Sequence, residues 1–563
     1  MLSKGIVERA TSPPDVGYFM PHHGVWKKKL RVVFNASASS PSRVSLNSCL
    51  DPGPNFLALV SDGVMRFRLR PVPVLADVEA AFHQVAVPLE DRVWLKFLWN
   101  NESFQFRRVP FGISCGPYML NAVVRHHVSR FQEFGESFPT QLLESMYCDD
   151  VVRSCEDEAS AQVFLAQAQD CFAAAGMILK PTEDPQKVLG VPWDPALDCL
   201  SVNFSVVRIP TKYSRRELLS SLSRIYDPEG FASAWTIRAR LLLQSAWQAG
   251  TKWDDELPQP LREEWFRWSL EADTVTLSIP RWIRYDDTCS LHVFCDASQK
   301  AYAIIAYLVH PIHGSSFLFA KSRVAPLKPA LSVPRLELLA ALTGARFARH
   351  FLSSIAVVPV FLWTDSQTVL SWIRNGLPKR DIFVSNRLRE ILSKTDSSWW
   401  NFVPSALNAA DIPSRGAPLF DIACNELYLV GPEFIRKPKS EWPQVMPSSL
   451  TLVVPDPMVE EKNLLEHVVP PENFSSLTRF VNVSAWILRA VENFKRLISR
   501  RALFHGSLAP SGRNGALRHA VVVEQAVAYS DELRSLRHPR TEKAAHVAFR
   551  CFLARRLRPF STR

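Results

Sequence analysis

The sequence predicts an α+β chain of several domains, and three observations carry that prediction. In Met146-Tyr147-Cys148-Asp149-Asp150-Val151-Val152, apolar residues run up to two adjacent aspartates and resume directly after them, the pattern of a tight β-hairpin with the carboxylate pair as its turn. Residues 73–84 pass from an apolar strand into a helix at Asp77. A later block repeats the theme, with a strand ending in Asp296, a helix carrying Glu337 and a second strand ending in Asp365. At 563 residues the chain exceeds one domain and suggests three or four. The expected divisions are 1–200, 201–285, 286–420 and a basic helical tail over 421–563.

Composition narrows the class. Hydrophobic residues at 47% and charged residues at 21% are globular values, so disorder is not the general state. A formal charge of +11 and a pI near 9.2 fit a polyanionic partner such as nucleic acid without identifying one. The ten cysteines form no CxxC pair and no Cys/His group at zinc spacing, and read as reduced thiols. Lys4, Glu8 and Arg9 stand where a signal peptide needs an apolar run, and no apolar stretch of about 18 residues occurs. A soluble intracellular protein with no membrane segment is expected.

Taken in order, residues 1–24 look irregular and end in Pro21-His22-His23-Gly24, where adjacent histidines without a spaced partner read as loop. Lys27-Lys28-Lys29 leads into the strand Leu30-Arg31-Val32-Val33-Phe34. These cations are either solvated or clamp a triphosphate, where Arg supplies a bidentate fork and Lys a point charge. Asp77 is either a helix N-cap or a ligand that joins the Asp pair roughly 70 residues later, a separation that lets two strands of one sheet meet. Two carboxylates held side by side repel, so one stays protonated unless a cation neutralises them. Mg²⁺ takes such hard oxygen ligands.

Leu30 to Phe34, the segment from Ala76-Asp77 to Phe82, Val109-Pro110-Phe111-Gly112 followed by Gly116-Pro117, and Tyr147-Cys148-Asp149-Asp150 together resemble a retroelement reverse transcriptase. Their order, with Pro21-His22-His23 and Asn121-Ala122-Val123-Val124-Arg125-His126-His127, is similar to the BEL/Pao group of LTR retrotransposons. The resemblance implies a right-hand polymerase with fingers and palm in residues 1–200. It implies Asp77, Asp149 and Asp150 as catalytic carboxylates holding two Mg²⁺ ions, with Mn²⁺ as a substitute, Asp77 and Asp149 bridging and Asp150 supporting. Lys29 and Arg31 would face the triphosphate, Phe82 would exclude a ribose 2′-hydroxyl, and Phe111 would lie beneath the incoming nucleotide. Gly190 and Trp193 resemble the turn that holds the primer terminus. Asn35 replaces the usual Asp of this group, and residues 181–187 look short and irregular.

Residues 210–250 show helical spacing broken at Asp227-Pro228-Glu229-Gly230, and Trp253, Trp265 and Trp268 mark a further helix. A helical bundle explains them; by resemblance they are thumb and connection, gripping duplex phosphates. The second block holds Asp296 in Cys295-Asp296-Ala297-Ser298, Glu337 one turn into a helix entered through Pro334, Asp365 in Thr364-Asp365-Ser366, and Asp411 beside a short helix in Asn408-Ala409-Ala410-Asp411. Each has an innocent reading as strand end, solvated face, turn or cap. The order Asp, Glu, Asp, Asp on strand, helix, strand and helix resembles ribonuclease H, again in BEL/Pao wording. This implies two metals held by Asp296, Glu337, Asp365 and Asp411, and cleavage of the RNA strand of an RNA–DNA hybrid. No Asp-Thr-Gly or Asp-Ser-Gly occurs, so proteolysis is not predicted.

Beyond residue 420 the motifs stop. Residues 479–499 have helical spacing with Trp486, and basic side chains outnumber acidic ones beyond residue 490, reading as a nucleic-acid-binding arm or a solvated helical linker. The resemblance implies an internal piece of a Pol polyprotein whose other segments are a protease and an integrase. It implies as partners RNA template, DNA primer, RNA–DNA hybrid and dNTPs, and a cytoplasmic location extending to virus-like particles and the nucleus. The expected function is RNA-directed DNA synthesis with ribonuclease H activity. The rivals are a catalytically silent remnant that binds nucleic acid through its basic surface, and a reverse transcriptase of a non-LTR element.

Overall fold

The structure of the protein is a computed structural model. It describes residues 1–443 except 14–15, 27–29, 40–43, 184–185 and 377–380; the tail with residues 479–499 and Trp486 lies outside the described residues, as do Lys27, Lys28 and Lys29. Among the described residues no helix is long and apolar enough to cross a membrane, and all nine cysteines are unpaired.

The N-terminal part opens with strand β1 (Val7–Arg9), then a hairpin of β2 (His22–Trp26) and β3 (Leu30–Phe34), and the short helix α1 (Leu46–Cys49). Residues 1–24, expected to be irregular, are tied down instead: β1 pairs with β6 (Glu102–Phe106), which pairs with β5 (Lys96–Trp99). His22 and His23 lie in β2 and not in a loop. The His22 ring packs at 5.4 Å from Phe34 and 5.8 Å from Phe97, which makes it part of an aromatic core.

Helix α2 (Val60–Arg68) precedes β4 (Val72–Val78) and α3 (Ala81–Gln84). Then come α4 (Gly116–Val128), α5 (Ser137–Ser145), the hairpin β7 (Met146–Tyr147) and β8 (Asp150–Cys155), α6 (Glu158–Ala174) and β9 (Leu179–Pro181). The four strands order as β7-β8-β4-β9, with β4 central and antiparallel to both neighbours. Its apolar residues Val74, Ala76 and Val78 alternate into a core with Val151, Phe164 and Phe172, so the intervening residues point to the opposite face. A second small sheet comes next: β10 (Lys187–Val188), β11 (Val191–Asp194), β12 (Cys199–Ser201) and, after the helices, β13 (Ser278–Pro280).

Helices α7 (Arg215–Ser223), α8 (Ser233–Gln248) and α9 (Gln259–Leu270) occupy the middle. The expected break at 227–230 is present, and the Asp227 carboxylate accepts the Phe231 and Ala232 N–H groups at 2.8 Å each, ahead of α8. Trp265 and Trp268 are buried, and Trp268 stacks on Trp235 at 4.3 Å; Trp253 lies outside the helix beneath the Arg215 guanidinium.

The last part is a five-stranded sheet ordered β16-β15-β14-β17-β18. Strands β14 (Ser290–Ala297), β15 (Ala301–His310) and β16 (Gly314–Val324) are antiparallel, whereas β17 (Val360–Thr364) and β18 (Trp400–Phe402) run parallel to β14. The long helix α10 (Val333–Ser354) crosses one face, followed by α11 (Gln367–Asn375), α12 (Ile382–Lys394) and α13 (Asp411–Arg415). Gly344 lets α10 approach β14, since a Cβ there would stand 2.5 Å from the Cys295 sulfur.

The helices expected as thumb and connection share one hydrophobic core with the opposite face of this sheet, through Trp235, Phe231, Phe294, Tyr307 and Phe317. Ser233 and Ser322 exchange a hydrogen bond at 2.8 Å, and Arg240 donates to the Ser322 carbonyl at 2.9 Å. The packed segment also passes the expected boundary at 420. Helices α14 (Leu419–Cys424) and α15 (Glu426–Leu429) bury Leu419, Ile422 and Tyr428 in the same core.

Candidate active sites

The first acidic group forms where β4 meets the β7–β8 hairpin. Asp77 lies within β4 in register with Asp150 of β8, and the Val78 N–H donates to the Asp149 carbonyl at 3.0 Å. The turn differs by one residue from expectation. Cys148 and Asp149 form it, Cys148 at φ +57°, and Asp150 already belongs to β8. Asp77 is also not a helix cap, because Ala80 in the left-handed region occupies that position for α3.

Burial first, then Asp149 and Asp77, push the Asp150 carboxyl up to about 6. Asp77 is raised by burial, then by Asp149 and Glu79. Burial and the two following aspartates push the Cys148 thiol up to about 12, so it stays protonated and unreactive. Glu79 is itself neutralised by Lys180 at 2.7 Å.

On α3, which follows β4, the Phe82 ring lies 5.0 Å from Phe111, which also meets His83 at 5.2 Å and is about half exposed at 53%. Gly112, at φ +97°, is required here: a Cβ would stand 2.7 Å from the Phe34 carbonyl oxygen, so the glycine allows the Phe111 loop to rest on β3. Arg31 is exposed on β3 and forms no ion pair among the described residues. The Asn35 side-chain oxygen accepts the Ser37 N–H at 3.1 Å, a turn contact that an aspartate would make equally well. Gly190 sits in the β10–β11 turn at φ +89° under Tyr226. Trp193 does not belong to that turn: it is buried on β11 against Phe67, and its indole N–H donates to Asp198 at 3.0 Å.

The second acidic group gathers at one end of the five-stranded sheet. Cys295 and Thr364 are partners on the parallel strands β14 and β17, so Asp296 and Asp365 are the next residue of each. Asp296 is buried and accepts the Ser414 hydroxyl. Burial, with lesser contributions from Asp365 and Asp411, pushes its carboxyl up to about 7 despite that hydrogen bond. Glu337, one turn into α10, accepts Ser366 Oγ at 2.5 Å and is raised by burial, then by Asp365. Asp365 accepts Ser405 Oγ at 2.6 Å and Asn408 Nδ2 at 3.3 Å. Asp411 begins α13 and pairs with Arg415 at 2.5 Å.

Ser366, Ser405, Asn408 and Ser414 are positioning residues to which the sequence alone assigns no role. Asn408 also donates to the Cys295 carbonyl at 3.1 Å, locking the Asp411 loop to the strand that carries Asp296. Asn408 and Ser366 stand in the motifs that carry Asp411 and Asp365, and only their hydrogen-bond partners are invisible there.

The donor chemistry of both groups is hard oxygen, and Asp77, Asp150, Asp296 and Glu337 are destabilised as anions by burial and neighbouring carboxylates, which suits a divalent cation. The carboxylates nonetheless stand apart: among the described residues no three acidic, histidine or cysteine side chains are gathered tightly enough to hold one ion.

Residues 25–183 match the family model described as reverse transcriptase (RNA-dependent DNA polymerase), and residues 214–366 match the Pao retrotransposon-like RNaseH-like domain. The chain carries a reverse transcriptase domain followed by a Pao-type RNase H-like domain. The reverse transcriptase match contains Asp77, Asp149 and Asp150. The RNase H-like match contains Asp296, Glu337 and Asp365, begins ahead of α7, and so takes in α7–α9, in keeping with their packing on its sheet.

Among solved structures, a foamy viral protease-reverse transcriptase in complex with double-stranded DNA aligns with a TM-score of 0.52 at 17% identity. The alignment covers 71% of this chain and 67% of that one, a likeness of fold. A second foamy viral protease-reverse transcriptase structure, with an RNA/DNA hybrid, covers 72% of this chain and 52% of its own, with a TM-score of 0.49 at 16% identity. No curated protein matches significantly.

Proposed function

We propose that this chain is an RNA-directed DNA polymerase with ribonuclease H activity, which copies retrotransposon RNA into DNA and degrades the RNA strand of the resulting hybrid. The observation that carries the reading is the register of Asp77 with Asp150, with Asp149 in the adjoining turn. Asp77 and Asp149 would hold Mg²⁺ with Asp150 in support, and Asp296, Glu337, Asp365 and Asp411 would do so in the RNase H-like domain. When bound, such cations activate the attacking hydroxyl or water and stabilise charge on the leaving oxygen.

The chain's own side chains supply position. Phe111 offers a half-exposed face on which a nucleotide can rest, and Phe82, held against it, limits the space beside the sugar. Exposed Arg31 is available to pair with a triphosphate through its fork of donors. In the RNase H-like domain, Ser414, Ser366 and Asn408 aim three carboxylates at the same end of the sheet. RNA template, DNA primer, hybrid and dNTPs are the partners this reading requires, and the foamy viral structure with double-stranded DNA is consistent with a duplex partner. Protease and integrase segments of one polyprotein, and a cytoplasmic location, belong to the same proposal.

The test separates the two activities in the intact chain. Asp77→Asn is expected to abolish dNTP incorporation and leave hybrid cleavage, and Asp296→Asn the reverse. Absence of both activities from a folded chain that binds primed template would support the silent remnant instead.

A further inference from the structure

The turn between β10 and β11 is held from outside its own sheet. Val188 pairs with Val191, so Leu189 and Gly190 alone make the turn, and both sit at positive φ, +48° and +89°. A two-residue hairpin turn of this kind ordinarily takes Asn, Asp or Gly at its first position, because a larger side chain crowds the following carbonyl there. Leucine in that conformation persists only where its surroundings fix it. Two contacts do so. The Leu189 side chain lies against α2 in a notch left open by Gly63, where a Cβ would stand 2.6 Å from Leu189 Cδ1. The Leu189 carbonyl accepts the Tyr226 hydroxyl at 2.9 Å.

Tyr226 belongs to the loop between α7 and α8, within the stretch that matches the RNase H-like model. Its ring also covers Gly190, where a Cβ would stand 3.0 Å from a ring carbon. The loop is fixed at its other end: the Ala320 N–H of β16 donates to the Glu229 carbonyl at 2.8 Å, and the Asp227 carboxylate accepts two N–H groups ahead of α8. Burial, then Tyr147 and Glu229, raise the Tyr226 hydroxyl above its ordinary pKa, which keeps it a donor. Tyr147 stands on β7 two residues before Asp149, so the ring lies within electrostatic reach of the acidic hairpin. Tyr226 is 44% exposed, and the brace it forms lies at the surface.

We infer that Tyr226 is a positioning residue for the primer terminus: it holds the Leu189-Gly190 turn in place beside the acidic hairpin, so that the loop anchored on β16 sets where the primer 3′-hydroxyl stands during DNA synthesis. This rests on the proposed polymerase, with its primer at this turn, and on the hydrogen bond and ring contact for the brace itself. The brace acts on geometry and not on affinity for the nucleotide. It therefore bears on the rate of the bound complex, where misplacing a reacting group by about 1 Å can cost on the order of a hundredfold. A tyrosine that only filled the fold would be felt in stability and in both activities alike.

The test uses the intact chain with a DNA primer on an RNA template. Tyr226→Phe keeps the ring over Gly190 and removes the hydroxyl. It is expected to lower kcat for dNTP incorporation by about two- to tenfold, the worth of one hydrogen bond. Tyr226→Ala removes both contacts and is expected to lower kcat further, toward about a hundredfold. In both variants KM for dNTP, hybrid cleavage and the melting temperature should stay close to the parent's. A second readout needs no catalysis: the fluorescence of 2-aminopurine placed as the 3′-terminal primer nucleotide, bound in Ca²⁺, should differ between the parent and Tyr226→Ala.

Unchanged kcat and unchanged 2-aminopurine fluorescence in Tyr226→Ala would overturn the inference. So would an equal fall in hybrid cleavage together with a lowered melting temperature, since Tyr226 would then serve the fold alone. A chain that binds the primed template with fluorescence dependent on Tyr226, yet never incorporates dNTP, would keep the primer placement and refute the polymerase activity.

Discussion

Arg281 ties the reverse transcriptase domain to the segment that enters β14, and replacing it with methionine should be felt on both sides of that junction. Its side chain is 1% exposed and is bound on every side. Nε and Nη2 form a fork on Asp198 at 2.6 and 2.8 Å. Nη1 donates to the Phe67 and Arg70 carbonyls at 2.9 and 2.8 Å, and Nη2 to the Pro71 carbonyl at 2.5 Å. Asp198 has a side chain 39% exposed and can rehydrate, so its loss is cheap. The three carbonyls are the costly part, at about 1–3 kcal/mol for each acceptor left unsatisfied. With partial relaxation the expected loss is about 3–5 kcal/mol, the range for breaking a buried charged contact.

Arg281→Lys should recover only part of this, because one ammonium cannot serve both the fork and the carbonyls. Urea unfolding monitored by tryptophan fluorescence measures the loss. Arg70 and Pro71 lead directly into β4, so dNTP incorporation should fall with stability. A loss below about 1 kcal/mol, or full recovery by lysine, would refute this account of the junction.

The acidic groups lead to three further outcomes. Asp296 has its folded pKa raised to about 7 from 3.8, so its ionisation opposes folding: stability falls as pH rises between those values and the cost is complete above about 7. Without divalent cations Asp296→Asn should therefore raise the melting temperature at pH 8 and leave it unchanged near pH 4, which scanning calorimetry at both pH values checks. Ser366 donates to Glu337 and lowers its pKa, so Ser366→Ala should move the acid limb of the hybrid-cleavage pH profile upward. Phe82→Val, which opens the space beside Phe111, should relax discrimination against ribonucleotides by at least about tenfold in kcat/KM, measured with paired dNTP and rNTP substrates.

The legible part of the sequence is local. The strands that carry Asp77, Asp296 and the residues before Asp365, and the hairpin around Asp149, are written in contiguous residues of period 2, although β4 runs on past Asp77 and the turn begins one residue before the Asp pair. Pairings between distant segments are not legible, because nothing in Val7 to Arg9 names β6 as its partner. The same holds for His22, whose neighbours Phe34 and Phe97 are supplied by other strands, and for Trp193, whose tryptophan in a turn-like motif proves to be core. Helices α7–α9 are recognisable as helices, yet the face they bury, against Phe294 and Tyr307, depends on a sheet that begins twenty residues after α9. In the candidate sites the acids can be read directly. Their hydroxyl and amide supports cannot, since Ser414 acquires meaning through Asp296 and Asn408 through Asp365 and the Cys295 carbonyl, all distant in the chain.

The most direct test of the central claim is Mg²⁺-dependent dNTP incorporation on a primed RNA template, comparing the intact chain with an Asp149→Asn, Asp150→Asn double variant. The account predicts incorporation by the intact chain and its loss in the variant, with binding of the primed template retained. Equal incorporation by both, or none by an intact chain that is folded and holds the primed template, would contradict it.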